Sequence, residues 1–393
     1  MSQSFSYKMI VNLSFCLSIL LTLAACSDGT STAVHDTKDS ASNNFLWNIP
    51  SHIPLPAVNP ANPMSEEKFL LGKHLFYDQR LSGNGSLSCS NCHQQDKAFT
   101  DGRSLAVGST GQIHPRNSQS LTNVAYNPTL TWANNSLVTI EQQVFIPLFG
   151  EHPVEHGITS ANWPEIVARL EAEPRYLKLF SEAFPDDATH FSQAQIENAL
   201  AVFVRGLNSF DSAYDKHLAG DSSAFGASEQ RGQALFFGEK MECFHCHGGY
   251  NFSDSTADRT MSFINRPFHN TGLYNISGSG RYPDNNRGIY ELSGKLSDMG
   301  RFRAPSLRNV GVTAPYMHDG SVKALSDVID IYAAGGRNIP TGDLAGDGRK
   351  NPNKDGFVTG FTISAQEKTD LIAFLESLTD QSFLTNPRFA NPW

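Results

Sequence analysis

Cys89-Ser90-Asn91-Cys92-His93 and Cys243-Phe244-His245-Cys246-His247 both spell C-x-x-C-H, the attachment signature of a c-type haem. The spacing follows from the chemistry. Two thiols add across the haem vinyl groups as thioethers, and the adjoining histidine then lies beneath the iron as its axial ligand. One C-x-x-C alone is ambiguous between a zinc knuckle and a redox dithiol. Two copies about 150 residues apart, each ending in histidine, are not. The chain reads as a carrier of two covalently bound haem c groups.

The other two of the six cysteines stand at the N-terminal end. Lys8 precedes an apolar stretch over 9–25 that ends Leu23-Ala24-Ala25-Cys26. This is a secretory signal whose ending is similar to a bacterial lipobox. Residues 1–26 are therefore expected to be a lipoprotein signal ending at Cys26, which becomes the acylated first residue. Cys16 is discarded with the signal. A membrane-spanning helix would need ~20 more consistently apolar residues, and Asn12, Ser14 and Ser18 interrupt this run. The expected location is periplasmic, lipid-anchored to the outer membrane.

A chain of 393 residues with 39% hydrophobic content can fill about two domains. The formal net charge of −9 argues against nucleic acid as a partner. Residues 27–47, rich in Ser, Thr, Asp and Asn, read as a flexible tether, with ordered chain starting near Phe45.

An internal repeat organises the rest. Gly72-x-x-Leu75-Phe76 precedes the first haem motif and Gly232-x-x-Leu235-Phe236 the second. Phe99-Thr100-Asp101 and Phe252-Ser253-Asp254 follow them, and Ser65-Glu66 and Ser228-Glu229 open the helices in front. The pattern divides the chain into an N-terminal haem domain over 48–222 and a C-terminal one over 223–393, joined through 219–227. Helical periodicity covers 163–170, 174–184, 192–207 and 326–332, and Ser364-Ala365-Gln366-Glu367 is a capping box. Strand signals are short. The expected fold is mainly α, with two cytochrome-c-like domains related by duplication and long loops. The Asp/Asn/Gly-rich segment 342–356 lacks EF-hand spacing and reads as a solvated loop.

With Phe302-Arg303-Ala304-Pro305-Ser306-Leu307-Arg308-Asn309 and Thr313-Ala314-Pro315-Tyr316-Met317-His318-Asp319-Gly320, the chain resembles bacterial di-haem cytochrome c peroxidases. Within them it is most similar to the MauG-like branch and to MbnH-type enzymes. The resemblance implies an interdomain calcium ion on the Asn123 side chain and the carbonyls of Thr313 and Pro315. It also implies a second axial ligand for the His247 haem, seventeen residues after Pro315. Ordinary di-haem peroxidases carry methionine there and the MauG-like branch tyrosine; here it is Tyr332. Methionine favours Fe(II), whereas tyrosinate favours higher oxidation states.

The same resemblance describes the peroxide side. Ordinary relatives place a displaceable histidine six residues before Pro115-Arg116-Asn117-Ser118, a position held here by Ser109. The His93 iron is thus expected to be five-coordinate, with His114 a nearby substitute in the wrong register. Gln143 and Pro147 should line its pocket, and Glu155, in Pro153-Val154-Glu155, should be the acid–base, with Glu151 as the fallback. Trp132 is the expected relay between the haems. Trp47, Trp163 and Trp393 read as core, and His269 and His318 as scaffold.

The implied activity is that of a peroxidase. Hydrogen peroxide (H2O2) generates a high-valent iron state, which oxidises an aromatic residue, tryptophan first, on a periplasmic partner protein. A cytochrome c peroxidase drawing electrons from a small cytochrome is the alternative, and a non-catalytic di-haem electron carrier the second.

Overall fold

Ser65 starts the first helix as expected, its hydroxyl accepting the Lys68 N–H while Glu66 and Glu67 face the positive end of the helix dipole. The computed structural model describes residues 45–393. The signal segment, Cys16, Cys26 and residues 27–44 lie outside the described residues. The helices α1 (Glu66–Phe76), α2 (Cys89–Cys92), α3 (Ile140–Phe149), α4 (Trp163–Glu171), α5 (Pro174–Ala183) and α6 (Gln193–Arg205) come first. They are followed by α7 (Ala213–Leu218), α8 (Ala227–Phe236), α9 (Phe244–His247) and α10 (Tyr290–Ser293). The last are α11 (Leu325–Ala333), α12 (Ala365–Glu376) and α13 (Gln381–Thr385). Strands β1 (Asn338–Ile339) and β2 (Gly346–Asp347) form an antiparallel pair, so part of the 342–356 segment is a clasp rather than solvated loop. The fold is mainly helical, with long loops. Among the described residues no helix is long and apolar enough to cross a membrane.

The same local construction occurs around both haem motifs. A Cβ on Gly72 would lie 2.0 Å from the Ala199 carbonyl oxygen, and one on Gly232 would lie 2.0 Å from that of Asp370. Helices α1 and α6, and likewise α8 and α12, therefore meet backbone to backbone, where only glycine fits. Beyond the motifs, Phe99 (φ 62°) and Phe252 (φ 50°) both adopt left-handed backbone, strained for a bulky residue. Asn123 and Asn309, also left-handed, each start a short 3-10 turn. Gly72→Ala and Gly232→Ala should each destabilise the protein by about 1–3 kcal/mol through overpacking, read by urea unfolding. Gly356→Ala, with nothing within 4 Å of the added atom, is the matched control.

Core membership moves the expected boundaries. Phe45 and Trp47 are buried in the first core, their rings 5.1 Å apart, so the packed chain begins before residue 48. Tyr214, on α7, and Phe225 belong to the second core, which places the junction ahead of α7 rather than at 222/223. The C-terminal residues Phe383, Leu384 and Phe389 return to the first core. Gly226, not Ser228, occupies the N-cap of α8. Ser228 instead donates to Asp370 at 2.6 Å, beside the Arg231–Asp370 pair.

Candidate functional site

The second motif opens onto a cavity of about 250 Å³ lined by Cys243, Cys246, His247 and Tyr332. His247 directs Nδ1 at the Phe252 carbonyl, 3.2 Å away, which leaves Nε2 for a metal. Tyr332, from α11, lines the same cavity. Burial pushes its phenol well above its ordinary range, so only a bound cation would deprotonate it. Next to the motif, His269 lies between Asp254 and Asp355, 2.7 Å from each. Burial opposes its charge, yet the bonds to the two carboxylates hold it well above its ordinary range. The resulting stabilisation is complete below the unfolded pKa near 6.5 and declines progressively as pH rises above it towards the raised folded value.

At the first motif His93 is set the same way, with Nδ1 2.7 Å from the Phe99 carbonyl. Cys92 lines a small cavity with Gly108, Gln112, His114 and Glu155. Burial raises the Glu155 carboxyl to about 7, and His114 Nε2 lies 3.7 Å from it. Glu151 is solvent-exposed and outside this lining. Residue 155 is positioned by its neighbours. The Glu155 carbonyl accepts the Ser109 N–H, and the Pro147 carbonyl at the end of α3 accepts the His156 N–H. Gln143, one turn earlier on α3, carries a buried Oε1 without a hydrogen-bond partner.

Trp132 is buried and lines the larger cavity together with His247 and Tyr332. Its indole N–H donates to the Asn117 carbonyl at 2.8 Å. It packs with Tyr274, Tyr282 and Phe302 from the second half, so it bridges the two halves.

The asparagine expected to ligate calcium is committed elsewhere. Asn123 Oδ1 accepts the Ser209 N–H at 2.8 Å and its Nδ2 donates to the Ser209 carbonyl at 3.1 Å. Asn309 repeats the first bond with the Asp380 N–H at 2.7 Å. Both side chains tie a 3-10 turn to the chain beyond a long helix. Thr313 and Pro315 line the larger cavity together with two asparagines, Asn127, whose buried Oδ1 no described residue engages, and Asn117. Its Nδ2 donates to the Arg103 and Ser104 carbonyls, while among the described residues no hydrogen bond engages its Oδ1. The asparagines that line this cavity with Thr313 and Pro315 are Asn117 and Asn127, while Asn123 is held at Ser209.

Arg303 and His156 were given no role by the sequence, and His318 only that of scaffold. Arg303 is buried at the cavity wall, where burial lowers it to about 10. It donates to Thr131, Ala304 and Gln119, and among the described residues no carboxylate pairs with it. A buried cation without an anion is the complement of haem carboxylates. His318 stacks on Phe302 at 3.6 Å with Nε2 buried and unpartnered; burial lowers it to about 3, so it stays neutral. His156, buried with Nδ1 2.6 Å from the Leu81 carbonyl, sets Nε2 3.8 Å from Cys89 Sγ. Only its place beside Glu155 hinted at it. Paired thiols, imidazoles with one nitrogen free, a facing phenol and a buried guanidinium together fit two haem groups.

A family model for di-haem cytochrome c peroxidases matches residues 66–223. The chain is 34% identical over 330 residues to the methylamine utilization protein MauG of Methylophilus methylotrophus, spanning 84% of this chain and 86% of that one. It is 30% identical over 346 residues to the cytochrome c peroxidase Ccp of Escherichia coli (strain K12), covering 88% of this chain and 63% of the relative. Among solved structures it resembles a MauG-like protein associated with microbial copper homeostasis, at 52% identity and a TM-score of 0.87 over 89% of this chain and 99% of that one. The di-haem peroxidase BthA of Burkholderia thailandensis E264 shares the fold, with a TM-score of 0.62 at 22% identity over 85% and 92% of the two chains. With that similarity along most of its length, the chain is an oxidoreductase that belongs to the di-haem cytochrome c peroxidase family.

Proposed function

We propose that this enzyme uses H2O2 to oxidise an aromatic residue, tryptophan first, on a periplasmic partner protein to which a lipid anchor at Cys26 gives it access. The observation that carries the reading is Tyr332 lining one cavity with His247, where a peroxidase fed by a cytochrome would carry methionine. Two covalently attached haems, when bound, would supply the two-electron reduction of peroxide and hold its oxidising equivalents.

The chain's own residues serve that chemistry. Glu155 takes the proton from the near oxygen of peroxide and returns it to the leaving oxygen, so no free hydroxide forms. With its pKa near 7 it is both base and acid at neutral pH. His114 lines the approach beside Glu155, whereas Gln143 and Pro147 lie outside that lining on α3, where the Pro147 carbonyl holds the His156 N–H. Trp132 lies between the halves to share equivalents, and Arg303 receives haem carboxylates. A calcium ion would sit on Thr313, Pro315 and Asn117 or Asn127, all hard oxygen donors.

The test has two arms run with the haem-loaded enzyme and peroxide. Reduced small cytochrome c should be consumed slowly. A small secreted protein encoded beside this chain should gain oxygen at an aromatic residue, read by peptide mass spectrometry. Fast cytochrome turnover with no modified residue would favour the ordinary peroxidase. Trp132→Phe should slow partner oxidation by about tenfold or more, one step of roughly 1.4 kcal/mol, while both haem absorbances persist.

A further inference from the structure

Equivalents that act on a partner must leave the haem pockets through the protein. Tyrosine and tryptophan are the side chains that carry them, and a tyrosine does so only if its phenolic proton has somewhere to go. Tyr176 donates to Asp78 at 2.7 Å, Tyr274 to Asp319 at 2.5 Å and Tyr250 to Asp258 at 3.0 Å. The first two are poor donors of an electron. Arg80 lies over the Tyr176 ring at 5.9 Å and Arg337 over the Tyr274 ring at 4.4 Å, and a cation on the ring face opposes further positive charge.

Tyr250 differs in place and surroundings. It stands three residues beyond His247, and its carbonyl is pinned by Arg308 Nε at 2.8 Å. Its ring meets that of the fully buried Tyr126 edge-on at 5.3 Å. Asp258 is itself buried, and its second oxygen accepts the Thr260 N–H and hydroxyl. Oδ2 is therefore held at the phenol. The same turn continues into an exposed segment through the Met261 N–H bond to the Asp258 carbonyl. There Met261 is 40% and Phe263 80% exposed. Haem loop, phenol, carboxylate and surface form one short continuous path.

We propose that Tyr250, backed by Tyr126 and with Asp258 as its proton acceptor, relays oxidising equivalents from the second haem centre to the surface near Met261. The inference rests on the peroxide-driven reading above. In each pass Tyr250 gives one electron to the peroxide-oxidised centre, its O–H bond breaks, and the proton forms a new O–H bond on Asp258. The partner's aromatic side chain then supplies one electron to Tyr250, and the proton returns from Asp258. Two passes deliver two electrons; the partner residue breaks a C–H bond, forms a C–O bond with one water and releases two protons. Peroxide takes up both as it becomes two waters.

The experiment uses the haem-loaded enzyme with peroxide alone, no partner, and a nitroso spin trap followed by peptide mapping. The wild type should give a trap adduct on the Tyr250 or Tyr126 peptide. Tyr250→Phe should abolish that adduct and slow decay of the oxidised haem spectrum by about tenfold, one step of roughly 1.4 kcal/mol. Asp258→Asn should do the same and Asp258→Glu should restore both, a rescue that a purely structural role would not produce. Decay and adducts in Tyr250→Phe indistinguishable from wild type would overturn the relay. A wild-type enzyme whose haem spectrum ignores peroxide would overturn the peroxide-driven reading itself, and the relay with it.

Discussion

Replacing Tyr332 by phenylalanine should convert a resting ferric enzyme with one high-spin and one low-spin haem into one with two high-spin haems. Tyr332 sets its phenol in the lining of the same cavity as His247. Burial holds that phenol protonated, far above its ordinary range. Ferric iron bound there would reverse this, because a cation in contact with the oxygen stabilises the anion. Phenylalanine keeps the ring and removes the donor atom, so packing survives while the ligand is lost. Peroxide-driven oxidation of a partner should then fall by about a hundredfold, roughly 2.7 kcal/mol. Electron paramagnetic resonance of the resting protein measures the first effect. An unchanged low-spin signal in the variant would reassign the ligand, and two low-spin signals in the wild type would refute an open site at His93.

Glu155→Gln should slow the reaction with peroxide by about 10²–10⁴-fold, the usual range for a general acid–base. Burial raises the carboxyl to about 7, so the wild-type rate should fall as pH drops below 7 and the base becomes protonated. The variant should show no such limb. Stability has the opposite sign. A carboxyl whose folded pKa exceeds its unfolded value of about 4.5 loses stability as pH rises between the two, and its burial costs the protein most above pH 7. Glu155→Gln should therefore raise the melting temperature at pH 8 and leave it nearly unchanged at pH 4. Stopped-flow spectroscopy and thermal unfolding separate the two effects. A rate close to wild type would remove Glu155 from the chemistry.

Much of the helical framework was legible because its signals are local. The Ser364 capping box starts α12 where it stands in the sequence, since a cap involves only the next three residues, and α6 follows the periodicity that begins at Ser192. Boundaries that depended on distant contacts were not. Phe383 and Phe389 look like any tail until they enter the first core, and Ser228 looked like a cap until Asp370 took its hydroxyl. Asn123 is tied by the same kind of distant contact. Its side chain serves Ser209, 86 residues away, a bond no spacing rule contains.

What the sequence alone determined was the pair of C-x-x-C-H motifs at Cys89-Cys92-His93 and Cys243-Cys246-His247, because five consecutive residues carry the whole signature. The tertiary structure decided what faces each one. It brings Tyr332 and Trp132, 200 residues apart, into the cavity of His247, and turns Glu155 and His114 toward Cys92. Which side chain lies opposite a haem depends on how helices pack against one another, and that packing is a property of the whole chain.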